Sequence, residues 1–186
     1  MKNVVVWLED MPAGFDTMPE SPLLDQKNCE YIPHIVIVPK GQYLQLRSSD
    51  DVLHNIHAMG AMKFNKPFPL QGVVIKQRAR RGGITELNCD AGHTWMSAFI
   101  FTIEHPFYAV SGDDGRFEIK GIPPGDYTLV IWHEGWTVTK TDTEPDGTVK
   151  QYHFDEPKVL KVNVSLAKNA SASRKFKLSG EGISEE

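Results

Sequence analysis

Several features are missing from this sequence of 186 residues, and each absence excludes a class of protein. No apolar run approaches the roughly 20 residues that a membrane helix needs, so no membrane span is expected. The 20 basic and 24 acidic residues give a formal net charge of −4, which provides no general attraction for nucleic acid. Two cysteines are too few for a disulfide scaffold, so at least one of them can serve through its sulfur chemistry.

The sequence also lacks a convincing amphipathic helix, and short apolar, β-branched runs punctuated by Gly, Pro and Asp predict an all-β fold. The expected strands are residues 4–9, 31–38, 42–48, 72–77, 84–88, 97–104, 116–120, 127–134, 159–166 and 174–178. The turn signals VPKGQ and RRGGI suit hairpin connections. Residues 10–28 and 136–158 are expected to form long surface excursions, and residues 181–186 a polar tail.

The N-terminal residues, MKNVVVWLEDMP, contain neither a long apolar signal core nor a small-residue cleavage site. They fall directly on a strand-like segment. We therefore expect a processed chain from which a signal peptide has been removed.

The run from Tyr108 to Gly135 carries the first family resemblance. It reads YAVSGDDGRFEIKGIPPGDYTLVIWHEG and contains a turn followed by G-x-F-x-I-x-G-[IL]-P-P-G-x-Y. This pattern resembles the carboxypeptidase regulatory-like domain, a transthyretin-like β-sandwich. In such domains a strand similar to AVVWLED precedes the run, and here NVVVWLED lies far upstream at Asn3–Asp10. The resemblance implies one domain, residues 1–24 and 107–180, that is interrupted by an insert.

The insert, residues 25–106, carries a second resemblance. YIPHIVIVPKGQYLQLRSSDDVLHN (31–55) is similar to the cupredoxin pattern of F-x-P, two strands joined by a Lys-Gly turn, and His-Asn. ITELNCDAGHTWMSAFIFTI (84–103) resembles the ligand loop of that family between its two strands. The resemblance implies a Greek-key β-sandwich that binds copper. Insertion at a surface loop is tolerated because the termini of a domain often lie close together.

Four side chains form the candidate copper site: His54, Cys89, His93 and Met96. A thiolate, two imidazoles and a thioether suit copper, with a His2Cys plane and a weak axial Met. The C-x3-H-x2-M spacing lets one short loop fold three of these side chains around one ion. Alternatively, Cys89 and Met96 are simply buried hydrophobes. The upstream His-Asn, in the order that cupredoxins use, favours the ligand set.

The loop spacing departs from the C-x2-H-x4-M of many small blue copper proteins. It matches the spacing after the second cysteine in the binuclear copper domain of cytochrome oxidase and nitrous oxide reductase. That domain has another cysteine four residues earlier, where this chain has Thr85. Because one bridging thiolate is missing, the resemblance implies a single copper ion that cycles between Cu(II) and Cu(I).

Several assignments around this site stay open. His57 competes with His54 as the first ligand, although the family places its ligand directly before Asn, where Asn55 ties the two ligand loops together. Cys29 is either a second thiolate or disulfide partner, or a loop cysteine with a structural role, which we favour. Trp95 lies beside the imidazole edge through which cupredoxins usually pass electrons. It either extends an apolar docking surface or packs over the site.

The other histidines have no partner at ligand spacing and are expected to be packed or hydrogen-bonded; they are His34, on a predicted strand, His105, His133 and His153. The basic run KQRARR, residues 76–81, either docks an acidic partner or forms a solvated face. The solvated face is favoured because the RRGG turn should lie one strand away from Cys89, at the far end of the domain.

The favoured function is one-electron transfer by a mononuclear type 1-like copper protein, with a redox protein such as a cytochrome or an oxidoreductase as partner. The sequence contains no convincing catalytic triad or P-loop that would indicate an enzyme. One alternative is a copper carrier or sensor that binds Cu(I), with help from His57, Met59 and Met62. Another is a metal-free β-sandwich that recognises protein or carbohydrate. We expect a periplasmic or extracellular location, because a thiolate copper site is most easily maintained outside the reducing cytosol.

Overall fold

The computed structural model describes residues 1–9, 11, 12, 15 and 21–186, and its regular structure is all-β throughout these residues. The all-β prediction is therefore confirmed. Part of the expected excursion over residues 10–28 lies outside the described residues, but Leu23–Lys27 within it forms a strand. Among the described residues, no helix is long and apolar enough to cross a bilayer.

The described residues contain seventeen strands. In chain order they are β1 (Val5–Glu9), β2 (Leu23–Lys27), β3 (Glu30–Ile32), β4 (Ile35–Pro39), β5 (Tyr43–Ser48), β6 (His54–Gly60), β7 (Phe64–Phe68), β8 (Val74–Arg78), β9 (Gly83–Asn88), β10 (Ser97–Ile103), β11 (Tyr108–Val110), β12 (Gly125–His133), β13 (Val138–Thr143), β14 (Val149–Phe154), β15 (Lys158–Leu166), β16 (Phe176–Ser179) and β17 (Gly182–Glu185).

The chain divides into two compact units, each built from separate segments. The first unit comprises Met1–Phe15, His105–Val138 and Phe154–Glu186, and the second comprises Asp16–Glu104 and Thr139–His153. The predicted insertion of a copper domain into a regulatory-like sandwich, with its boundaries, stays a prediction.

The second unit contains two sheets that share one apolar core. The five-stranded sheet has the order β4-β10-β9-β6-β7, and the four-stranded sheet has the order β3-β2-β5-β8. Strand pairs are antiparallel except β4 with β10 and β2 with β5. Because successive side chains of a strand point to opposite faces, alternate residues meet between the sheets. The shared core includes Leu24, Val36, Val38, Leu44, Leu46, Ile56, Phe68, Leu87, Ala98 and Ile100.

The two turns that were expected to close hairpins instead carry the chain from one sheet to the other. VPKGQ joins β4 to β5, and RRGG joins β8 to β9, yet the two strands of each pair lie in different sheets. The turns bond to each other: the N–H of Gly41 donates to the carbonyl of Ala79 at 2.6 Å. The hairpin predictions were wrong because apolar residues on both strands of each pair face one core.

The first unit is built on a four-stranded sheet of order β11-β1-β12-β15 and a separate hairpin of β16 and β17. Nine residues of β12 pair with β15 in antiparallel register. Buried residues of the sheet, including Val6, Leu8, Leu129, Ile131 and Val164, form the core of this unit with Phe107. Residues 116–120, expected to form a strand, form no ladder, but Phe117 and Ile119 pack against the core. Their alternating apolar side chains therefore serve packing without strand pairing.

Other differences concern the segments expected to be irregular. Residues 136–158 contain the paired strands β13 and β14, and the expected polar tail contains β17, which pairs with β16. The predicted strand 31–38 is divided into β3 and β4 at a bend that includes Pro33 and His34. Two strands next to the candidate site, β6 and β7, were not predicted.

Candidate metal centre

Strand pairing brings two distant parts of the sequence to one end of the five-stranded sheet. His54 is the first residue of β6, and Cys89 follows the last residue of β9. Because these strands are antiparallel neighbours, with His57 opposite Asn88, the start of β6 and the end of β9 lie at the same end. Residues 89–96 then connect β9 to β10. We call this end of the sheet, where β6 begins and β9 ends, the site end.

Three side chains predicted as ligands come together at the site end. The Nδ1 atoms of His54 and His93 are 3.0 Å apart, and the Sγ of Cys89 lies 3.7 Å from the Nδ1 of His93. One ligand atom from each of these residues lies within 4.8 Å of the others. His54 has no exposed surface, and Cys89 is only 7% exposed.

These distances fit donors to a single ion. A metal such as zinc is bound at about 2.0 Å by imidazole nitrogen and about 2.3 Å by thiolate, so two nitrogen donors can be at most about 4.0 Å apart. The limit for a nitrogen and a sulfur is about 4.3 Å. Both measured separations lie inside these limits. Two imidazoles and one thiolate are also the donor set that soft and borderline metals, copper included, prefer.

The environment of His93 favours the neutral, metal-binding form of its imidazole. Burial and then the neighbouring His54 lower the pKa of His93, whereas Asp50 acts in the opposite direction. The ring centroids of His54 and His93 are 4.6 Å apart. A neutral ring keeps one nitrogen lone pair for a metal.

A network of side-chain hydrogen bonds joins the two ligand-bearing segments. The backbone N–H of Asp90, directly after Cys89, donates to the side-chain oxygen of Asn55, directly after His54. The Asn55 amide donates to Asn65, whose own amide donates to the carboxylate of Asp90 at 2.8 Å. Burial raises the pKa of Asp90, but the bonds from Asn65 and His57 outweigh it and hold that pKa below its usual range.

Tyr31 supports the same two segments, and its role was not predicted. This buried hydroxyl lies 2.5 Å from the carbonyl oxygen of Asn55 and 3.0 Å from that of Asn88. Burial, followed by the nearby Cys89 and Asp90, raises the pKa of Tyr31, so the hydroxyl keeps its proton as a donor. The sequence drew attention to Tyr31 only because YIP matches the F-x-P of the cupredoxin pattern, and this match did not indicate where the hydroxyl would lie.

A two-residue turn approaches the site from the four-stranded sheet. Asn28 and Cys29 connect β2 to β3, and both have left-handed backbone angles, with φ of 56° and 55°. Cys29 is half-buried and, like Cys89, is a free thiol, so no disulfide forms. The Sγ of Cys29, a carboxylate oxygen of Asp50 and a nitrogen of His54 form a second cluster within 4.8 Å.

Trp95 lies at the surface of the ligand loop. It is 61% exposed, and its ring centroid is 5.4 Å from that of His93 in an edge-on arrangement. The indole N–H donates to the carbonyl oxygen of Cys29 at 3.0 Å. Trp95 therefore both contacts a candidate ligand and presents apolar surface.

Of the remaining predicted site residues, His57 and Met96 lie beside this group, whereas Thr85 lies opposite Gly60, towards the other end of β9. The cluster contains His54 and not His57, whose Nδ1 lies 3.0 Å from a carboxylate oxygen of Asp90. Met96 is 2% exposed in the same core cluster as Cys89, and its N–H donates to the carbonyl of His93. The hydroxyl of buried Thr85 accepts the N–H of Met62 at 2.9 Å.

Further residues named from the sequence lie apart from this cluster. Met62 is buried in the core, whereas Met59 is 37% exposed. The Nδ1 of His34 is 3.0 Å from the carbonyl of Ser97. The other histidines also have local partners: His105 accepts the N–H of Phe107, His133 lies beside the carbonyl of Glu134, and His153 pairs with Asp142.

Comparisons with known proteins find copper proteins only among solved structures, and only at low similarity. No protein-family model matches the chain, and no curated protein matches it. A purple cupredoxin from Nitrosopumilus maritimus is similar over 45% of this chain and 100% of its own, at 18% identity and a TM-score of 0.39. A copper-containing nitrite reductase from Thermus scotoductus SA-01 matches over 47% of this chain and 23% of its own, at 17% identity and a TM-score of 0.43.

A reduced single-site mutant of amicyanin is similar over 53% of this chain and 98% of its own, at 12% identity and a TM-score of 0.41. Similarities of this size assign neither a family nor a function to the chain.

Proposed function

We propose that the chain holds one copper ion between His54, Cys89 and His93 and carries single electrons between partner proteins. The observation that carries the proposal is the buried cluster of two imidazoles and one thiol, with separations of 3.0 Å and 3.7 Å at His93. Two histidines and one cysteine in a plane are the ligands of blue-copper electron-transfer sites. A bound copper ion supplies the Cu(II)/Cu(I) couple, which exchanges one electron at a time.

Met96 is proposed as the weak axial ligand. Its burial beside Cys89 in the core and the bond from its N–H to the His93 carbonyl support this role. A thioether at a long distance tunes a copper site and adds no charge.

The protein's part in this function is to hold the donors still. Asn55, Asn65 and Asp90 join the two ligand-bearing segments, and Tyr31 contacts a carbonyl of each. A donor set that is fixed before electron transfer needs little rearrangement afterwards, so exchange is fast.

Exposed apolar residues at the site end support docking of a redox partner. Trp95 lies against His93, and Val52 and Leu53, which precede His54, are 44% and 54% exposed. Small, apolar, transient interfaces suit proteins that exchange electrons and separate. We propose a cytochrome or an oxidoreductase as partner, in the periplasm or outside the cell.

Titration with Cu(II), followed by visible absorption and paramagnetic resonance, tests the proposal. We expect a strong thiolate-to-copper band that saturates at one copper ion per chain. Cys89→Ser should abolish the band, and Cys29→Ser, the matched control at the other free cysteine, should retain it.

Other outcomes assign the alternatives. Weak, colourless Cu(II) binding that Cys89→Ser leaves unchanged contradicts electron transfer. Tight, colourless binding of Cu(I) alone would instead indicate a carrier or sensor, and no binding of either ion would indicate a metal-free recognition module.

A further inference from the structure

The far side of the His54 ring makes a buried contact that the proposed function does not use. While the Nδ1 of His54 faces His93, its Nε2 lies 2.9 Å from a carboxylate oxygen of Asp50. Asp50 is 14% exposed, and His54 has no exposed surface. Because a carboxylate accepts hydrogen bonds, this contact requires a proton on Nε2, and in the neutral ring the lone pair is then on Nδ1.

Asp50 is itself held by backbone donors. Its Oδ1 accepts the N–H of Asn28 at 2.8 Å, and its Oδ2 accepts the N–H of Cys29 at 2.9 Å. These two backbone donors fix the carboxylate in place, and its Oδ2 remains within hydrogen-bond distance of the His54 ring.

The turn that holds Asp50 also contacts the second ligand-bearing segment. The carbonyl of Cys29 accepts the indole N–H of Trp95, which lies against His93. The turn uses backbone atoms for all these contacts. It therefore connects the segment of His54, through Asp50, to the loop of His93, through Trp95.

We propose that Asp50 is a positioning residue that fixes His54 with its proton on Nε2 and its Nδ1 lone pair facing the metal position, and that the Asn28–Cys29 turn holds Asp50 for this purpose. The identity of the metal rests on the proposed function above, whereas the placement of the proton does not. A carboxylate bonded to a ligand imidazole makes the ring a stronger donor.

A second metal ion between Cys29, Asp50 and His54 is the competing interpretation of the same cluster. It is disfavoured because the two Asp50 oxygens already lie within hydrogen-bond distance of three nitrogen atoms. Binding at Nε2 would also require His54 to lose its second ring proton while Nδ1 binds the first ion. Cys29 contributes backbone atoms to the arrangement, and its thiol is dispensable in our proposal.

The first test uses the metal-free protein. Nitrogen-15 NMR of the histidine side chains should show His54 protonated at Nε2, with slow exchange of that proton. Asp50→Asn should remove this signature. Asp51→Asn, the matched control at the exposed neighbouring carboxylate, should retain it, and Asp50→Glu, which keeps the carboxylate, should restore it at least in part.

The second test measures copper affinity in both oxidation states. Asp50→Asn should weaken Cu(II) binding by about 10- to 100-fold, and weaken Cu(I) binding less, because a stronger imidazole donor favours the more highly charged ion. For each factor of ten by which Cu(II) binding is weakened more than Cu(I) binding, the reduction potential rises by about 59 mV. Asp51→Asn and Cys29→Ser should leave the potential unchanged.

Three results would overturn the inference. These are a His54 proton on Nδ1 in the wild-type protein, an unchanged potential in Asp50→Asn, and a second bound ion that Cys29→Ser removes. If the wild-type protein bound no copper but Asp50 still fixed the proton on Nε2, the proposed function would fail and the positioning role would stand. If the protein showed the expected copper band but the His54 tautomer did not depend on Asp50, the proposed function would stand and the positioning role would fail. If Asp50→Asn does not fold, the position of the His54 proton in the wild-type protein still decides, because a proton on Nδ1 contradicts the inference.

Discussion

The two ends of the five-stranded sheet are built in different ways. At the site end, where β6 begins and β9 ends, buried polar side chains such as Asn55 bond to the backbone of neighbouring segments. At the opposite end, Gly60 of β6 lies against the backbone of Ile84, and the exposed side chains of Lys40 and Glu104 form an ion pair. Side-chain hydrogen bonds therefore dominate the site end, whereas the opposite end combines close backbone approach with the bond from the Met62 N–H to the Thr85 hydroxyl.

The largest expected effect is that of Gly60→Ala, at the end without the site. Gly60 has a φ of 129°, and a Cβ atom there would fall against the carbonyl oxygen of Ile84. Backbone strain and overpacking together should lower the free energy of unfolding by about 3 kcal/mol or more. Urea unfolding measures this loss. The folded fraction should bind metal as the wild-type protein does, and weaker metal binding would contradict the separation of the two ends.

Asn55→Ala should have the next largest effect, and it should affect both stability and the site. The substitution leaves the N–H of Asp90 and the side chain of Asn65 without their Asn55 partner. The N–H of Asp90 is partly buried, and a buried polar group that loses its partner costs about 1–3 kcal/mol, whereas exposed Asn65 can bond to water. We expect a loss of about 2–3 kcal/mol in unfolding free energy of the metal-free protein. Metal affinity should fall as well, and a loss of stability alone would mean that Asn55 does not hold the ligand segments.

Asp25→Asn tests an ion pair with one buried partner, the Asp25 carboxylate, against the pair of Lys40 and Glu104, in which both partners are exposed. Asp25 lies 2.5 Å from the guanidinium of Arg47 and accepts from Ser49. Burial raises the pKa of Asp25, but these bonds and the Arg47 charge outweigh it and lower the pKa overall. The ionised form is then favoured in the folded state, so its contribution is present above the unfolded pKa of about 3.9 and is lost as the pH falls through the folded pKa.

At pH 7, Asp25→Asn should lower the free energy of unfolding by about 1–3 kcal/mol. Urea unfolding of both proteins between pH 7 and pH 2 should show this difference shrinking below about pH 4. A difference that is constant with pH would mean that the charge of Asp25 contributes nothing.

Tyr31→Phe removes one hydroxyl and leaves the ring in the core. The carbonyls of Asn55 and Asn88 lose their shared donor, so the free energy of unfolding should fall by about 1–2 kcal/mol. Thermal unfolding of the metal-free protein measures this effect. If Tyr31→Phe had the melting temperature of the wild-type protein and only its metal affinity changed, the hydroxyl would make no contribution to stability.

Lys40→Gln should have the smallest effect. Lys40 and Glu104 are 2.9 Å apart, but their side chains are 46% and 57% exposed. Exposed ion pairs contribute about 0–1 kcal/mol and are screened by salt. Unfolding in low and in high salt should differ from the wild type by less than about 0.5 kcal/mol. A larger loss would show that charge also matters at the end built on backbone approach.

The sequence predicted the all-β fold and the proximity of His54, Cys89 and His93 better than the connections between strands. Apolar alternation defined β5, a continuous apolar run defined β12, and the short C-x3-H-x2-M spacing singled out Cys89 and His93. These signals are local. The turns VPKGQ and RRGG each connect two strands, and the sequence did not show which sheet each strand would join. The choice between a hairpin and a crossing from one sheet to the other depends on which apolar faces meet.

The residues that support the site were mostly not predictable. Asp50 and Cys29 meet because β2 pairs in parallel with β5, and β2 lay in a segment expected to be irregular. β6 was missed because HNIHAMG mixes buried polar and apolar residues and lacks clean alternation. Buried polar side chains that bond to the backbone of distant strands leave no periodic pattern in a sequence.

The pairing of β1 has a consequence for synthesis on the ribosome. β1 is made before its partners β11 and β12, which emerge only after β2 to β10. At about 5–20 residues per second, most of the second unit can fold while β1 still waits for its neighbours. During that interval the apolar residues Val5, Val6 and Leu8 are exposed on an unpaired strand, the kind of segment that chaperones protect from aggregation. β1 is therefore made well before it can join its native sheet.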